Sequence, residues 1–111
     1  MIPMKTIQLL DHVIFNETHA HSEPLDVDSN GRALLFALRP GQTVKEHNAP
    51  GSSVNIVVLK GQGFFAGANK SEILLAPNTL LIIGPGEDHS IRAGDEDLVF
   101  LAILQGAPGY T

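Results

Sequence analysis

The chain has 111 residues, 43% apolar and 17% charged, with twelve acidic against seven basic side chains and a formal net charge of −5. That is enough apolar material for one core, and it excludes a disordered chain. The acid excess, with no Lys/Arg cluster to offset it, argues against a nucleic-acid partner, and the lack of cysteine removes disulfides, thiolate catalysis and cysteine-based zinc sites.

Residues 1–10 show no basic region followed by an apolar run, so no signal-peptide pattern is present, and Thr6–Leu10 reads as a first strand. The polar, aperiodic stretch Asp11 to Asn30 reads as a long loop. Seven further strands are expected at Arg32–Leu38, Val54–Leu59, Gly63–Ala66, Glu72–Leu75, Leu80–Ile83, Ser90–Arg92 and Leu98–Leu104. Pro-Gly, Asn-Gly and Gly-x-Gly turns separate them, and a short polar strand should follow Pro40-Gly41 and end at His47. Past residue 20 no segment holds a helical apolar stripe. The reading is therefore all-β, a sandwich or barrel, in one domain over residues 1–111: an N-terminal strand and polar loop to residue 31, then a barrel core over 32–104. No stretch approaches the roughly 20 apolar residues that span a bilayer, so a cytoplasmic protein with no membrane contact is expected.

Three runs are apolar on both faces: Ala33 to Leu38, Val54 to Leu59 apart from Asn55, and Leu98 to Leu104. A strand with one face in water alternates instead. The outer faces of these strands need cover, and a second subunit forming a homodimer is the expected source, with the N-terminal segment and long loops as the alternative.

Two stretches carry the chemistry. Gly41 precedes His47, and Gly61 follows after an apolar strand; Gly84-Pro85-Gly86-Glu87-Asp88-His89 again places a Pro-Gly turn before a histidine that opens a strand. This order resembles the two signature motifs of the cupin superfamily. The first runs from a glycine through His-x-His and a glutamate to a second glycine, and Gly41, His47 and Gly61 match its glycines and first histidine. The second contains P-x-G-x-x-H, and Gly86 and His89 match. The resemblance covers residues 32–104 and implies a cupin-like double-stranded β-helix, or jelly-roll barrel. It also implies departures. Ala49 stands at the second histidine, Val54 at the glutamate and Gly84 at the proline.

Only His47 and His89 of the implied metal ligands remain, so the divalent ion that the full motif implies (zinc, iron, nickel or manganese) should bind weakly or not at all. Catalytic zinc takes three protein ligands, and iron oxygenases take two histidines and a carboxylate. Glu87 shares parity with His89 and is the nearest third donor, although a solvated turn carboxylate is the simpler reading. His19-Ala20-His21 has ligand spacing but lies in a polar stretch. Gly61-Gln62-Gly63 fits a dinucleotide fingerprint only in letters, because no helix follows, and it reads as a hairpin turn.

If Val54 faces inward like the glutamate that the resemblance implies at its position, period two puts Ile56 and Val58 inward too; His89 inward implies Ile91 inward, and one face of Leu98–Leu104, with Phe100, joins them. The expected ligand pocket is His47, Val54, Ile56, Val58, His89, Ile91 and Phe100, suited to a small, partly apolar molecule. A binding or sensing barrel is the leading function. The alternative is a cupin enzyme of oxygenase or isomerase type, metal-dependent or metal-free, with His47 and His89 as catalytic groups. A structural subunit that binds another protein is the third.

Overall fold

The polar stretch ahead of Asn30-Gly31 contains a strand. The computed structural model describes residues 3–106, the side chain of His47 excepted, and its first strand, β1, is His21–Asp28. Asp28 Oδ1 accepts the backbone N–H groups of Asn30 (2.7 Å) and Gly31 (3.1 Å), which turns the chain into β2, Gly31–Leu38. β3 (Thr43–His47), β4 (Ser53–Lys60), β5 (Gly63–Ala66), β6 (Glu72–Leu75), β7 (Leu80–Ile83), β8 (His89–Ala93) and β9 (Leu98–Gln105) follow. They form a five-stranded sheet ordered β1-β2-β9-β4-β7 and a four-stranded sheet ordered β3-β8-β5-β6, with every pairing antiparallel. This is the double-stranded β-helix architecture.

Two expectations for the N-terminal third are corrected. Thr6–Leu10 forms no strand; the chain there is irregular and ends in a 3₁₀ turn, Leu9–His12. The supposed loop Asp11 to Asn30 holds β1. As an edge strand paired on one side only, β1 needs no apolar period, and Pro24 and a bulge beside it blunt its open edge.

The core lies between the sheets. Leu38, Val58, Leu98 and Phe100 are fully buried there, and Ile56 and Ala93 nearly so. Phe100 stacks on Phe36 at 4.8 Å between centroids and meets the edge of Phe65 at 5.7 Å. The motif glycines Gly41, Gly61 and Gly86 all have φ near +75°, a backbone that L side chains rarely adopt. Gly61 is the most constrained of them, since an added Cβ would overlap the Asp97 carbonyl. Gly61-Gln62 joins β4 to β5, with no helix after it.

The outer face of the large sheet is covered unevenly. Leu35, Ala37 and Val99 alternate with the inward Phe36 and Phe100, yet they are buried within one chain. The N-terminal segment supplies cover at this corner, where Leu10, Val13 and Phe15 lie beside Val99. It is held by Lys5 to Asp26 (2.6 Å), by the Gln42 side chain to the Asn16 carbonyl (2.8 Å), and by Arg39. The Arg39 guanidinium lies 4.0 Å from the Phe15 ring centroid and pairs with Glu17 and Asp97, each at 2.9 Å. Hydrogen bonding to Glu17, offset in part by desolvation, raises its pKa above the usual arginine value. At the opposite corner Leu80 and Ile82 on β7 are 58% and 68% exposed beside the half-buried Val57, Leu101 and Ile103.

Candidate functional site

One inward row of the large sheet runs Arg32 (β2), Leu104 (β9), Val54 (β4), Ile83 (β7), and the next runs Leu34, Ala102, Ile56, Leu81. Across from them on the small sheet stand Val44, His89 and Ile91. Between the sheets is a cavity of about 170 Å³. Its wall is largely aliphatic and aromatic, including Phe36 and Phe100, and its polar side chains are Arg32, Asn48 and His89. A second hollow, of about 330 Å³, opens between β5, β6 and β7, and His89 stands at the boundary of the two.

Of the residues singled out in the sequence, Val54, Ile56, His89, Ile91 and Phe100 line the smaller cavity. Val58 does not. It shares their face but lies further along β4, where it is fully buried in the core. His47 and His89 are register partners in β3 and β8. A slip between Val44 and His47 makes this so; an unbroken register would set Glu46 across from His89. The His47 side chain itself lies outside the described residues.

His89 is 6% exposed, and its Nδ1 is 3.1 Å from the Glu87 carbonyl oxygen. A carbonyl only accepts, so Nδ1 carries a proton and Nε2 is the acceptor atom of the neutral ring. The Glu87 carboxylate accepts the Gly84 N–H at 3.1 Å and is exposed, so it serves the turn. Asn48 donates to Asp88 at 2.8 Å. His21 Nε2 pairs with Glu23 at 2.9 Å while His19 Nδ1 bonds the Ala20 carbonyl, so these two rings are engaged separately. Ser52 is buried, with no partner for Oγ among the described residues.

Sequence reasoning overlooked Arg32. It is the charged residue of an otherwise apolar strand, and it has the parity of Leu34 and Phe36, which was the available signal. Its Nε is buried with no hydrogen-bond partner among the described residues. Asp26 and Asp28 line a surface hollow with Arg32 but hydrogen-bond other groups through their Oδ1 atoms: Asp26 with Lys5, and Asp28 with the turn amides. An unsatisfied buried donor destabilises a fold by about 1–3 kcal/mol, a cost that a ligand bonded to it would offset.

The cupin-domain model matches residues 34–104. The chain belongs to the cupin family. An RmlC-like cupin from Desulfovibrio desulfuricans is 27% identical, with 93% of this chain and 97% of that one covered and a TM-score of 0.84. An uncharacterised protein with a double-stranded β-helix domain from Klebsiella pneumoniae has a TM-score of 0.87 at 16% identity, covering 98% and 100% of the two chains. A cupin superfamily protein from Desulfitobacterium hafniense has a TM-score of 0.79 at 20% identity, covering 95% and 94%. No curated protein matches. Ala49 and Val54, which the motif resemblance sets at ligand positions, both line the cavity as apolar wall. No three His, Asp or Glu residues converge among the described residues. Ala49 and Val54 carry no donor atom, and His89 is the one imidazole of the described cavity wall, the His47 ring lying outside the described residues. No described helix is long and apolar enough to cross a membrane.

Proposed function

We propose that this cupin is a binding or sensing barrel that takes a small, partly apolar molecule in the cavity beside His89, with His47 across from it in the register. The observation that carries the reading is the cavity itself: a space of about 170 Å³, apolar along most of its wall, with three polar side chains. A cavity of roughly 150 Å³ accepts a benzene ring. A few polar groups in an apolar wall orient a ligand and set its specificity. The test is native mass spectrometry of gently purified protein, together with elemental analysis. A small-molecule adduct that disappears when Ala102→Leu fills the cavity is the expected result. Stoichiometric metal that is lost in His47→Ala and His89→Ala would overturn it in favour of a metalloenzyme.

The uncovered outer corner favours a homodimer. Leu80 and Ile82 form an apolar strip on the edge strand β7, and a two-fold axis would pack that strip on its own copy. Light scattering over a range of concentrations should give a dimer for the native chain and a monomer for Ile82→Glu. A native monomer at every concentration would refute this.

A further inference from the structure

The polar side chains in the cavity differ in what they still have to offer. Asn48 donates its amide to Asp88, and His89 holds the Glu87 carbonyl. Arg32 has a buried donor, Nε, that nothing among the described residues satisfies, while the neighbouring Asp26 and Asp28 bond Lys5 and the β1–β2 turn through Oδ1. Arg32 is half-buried and lines both this cavity and a surface hollow beside β1, and a guanidinium whose buried Nε is unpaired is complementary to a planar anion with two oxygens, which it binds through paired, charge-assisted hydrogen bonds.

We propose that the cavity takes a small monocarboxylate, its carboxylate on Arg32 and its apolar body against Phe36, Ile56 and Phe100. This rests on the reading of the cavity as a ligand site. Three observations select the ligand class. Arg32 is the one Lys or Arg lining the cavity, which suits a single negative charge better than a phosphate dianion. Val54 and Ala49, at the positions where the family motif has ligands, offer hydrocarbon to the rest of the molecule. Leu104 neighbours Arg32 along its row, with Val54 one strand further, so a carboxylate there meets hydrocarbon on the cavity side, while Val27 on the other side of Arg32 is exposed. The overall charge of −5, and Asp26 and Asp28 beside Arg32 in particular, act against an anion; more distant surface charges, beyond a Debye length of about 8 Å, are largely screened at physiological salt, whereas Arg32 would touch the ligand.

The experiment compares benzoate with its neutral twin benzamide by methyl NMR titration of the full chain. The wild type, Arg32→Gln, Arg32→Lys and the cavity-filled Ala102→Leu are titrated, each with its fold checked from the same spectra. Benzoate should bind about tenfold or more tighter than benzamide in the wild type, and the ratio should fall towards one in Arg32→Gln. Arg32→Lys keeps the charge without the fork and should fall between them. Equal binding of both probes, unchanged in Arg32→Gln, would overturn the carboxylate assignment and leave the ligand-site reading standing. Benzoate binding that survives in Ala102→Leu would place the anion outside the barrel and overturn the proposal. If neither probe shifts a cavity methyl, the ligand-site reading fails and the assignment fails with it.

Discussion

The barrel interior has two ends, built from the same strands and finished differently. Where β2 and β9 bring Leu38 level with Leu98, the space is closed: both residues are fully buried, and a Cβ added at Gly63 would lie 2.6 Å from Leu98 Cδ2. Three rows away, Arg32 lies level with Leu104 and Val54, and the sheets leave a hollow between them. The aromatic group of Phe36, Phe65 and Phe100 stands between these ends. The closed end follows the packing rule that interiors are filled to the density of organic crystals. The open end breaks that rule and also leaves a polar atom unsatisfied. A chain that can pack one end so tightly has the means to pack the other, so the exception points to use rather than to poor folding.

Substitutions can break or sharpen this contrast. Phe100→Ala removes the ring that separates the ends, and it should destabilise the fold by about 3–5 kcal/mol, read as a lower urea midpoint. Arg32→Leu acts in the other direction. Replacing an unsatisfied donor by a leucine that extends the row of Leu104 and Val54 should raise stability by roughly 1 kcal/mol, and a clear loss of stability would show that Arg32 has a structural task. Arg39→Ala touches neither end. It loosens the N-terminal segment through lost contacts to the half-buried Phe15 and Asp97 and the exposed Glu17, and should shift global stability by about 1 kcal/mol. Its effect should appear instead as faster hydrogen exchange in residues 3–20.

The legibility of the sequence follows the same division. Strands that enclose the core were readable because burial on both faces leaves long apolar runs, and β2, β4 and β9 are the clearest cases. β1 was not, because a rim strand paired on one side is free to be polar, and its signal was the Asp28-x-Asn30-Gly31 turn rather than its own composition. Cover for the outer face was ascribed first to a second copy, and part of it comes from the chain's own N-terminal segment, whose aperiodic pattern hides how Leu10, Val13 and Phe15 are used. The motif positions of Val54 and His89 point them inward, and period two then carries Ile56 and Ile91 to the cavity with them. Val58 has the same parity but a different depth, and alternation carries no information on depth. Arg32 lies beside a turn, where a charge usually faces water; only the pairing with Leu104 and Val54 turns it inward.

The slip in β3 has its own consequence. Between Val44 and His47 this strand has one residue more than a straight ladder needs. A chain lacking Lys45 would keep His47 level with His89 through a plain two-residue step. The histidine pair can thus survive a single-residue deletion just upstream of it without a change in which positions meet.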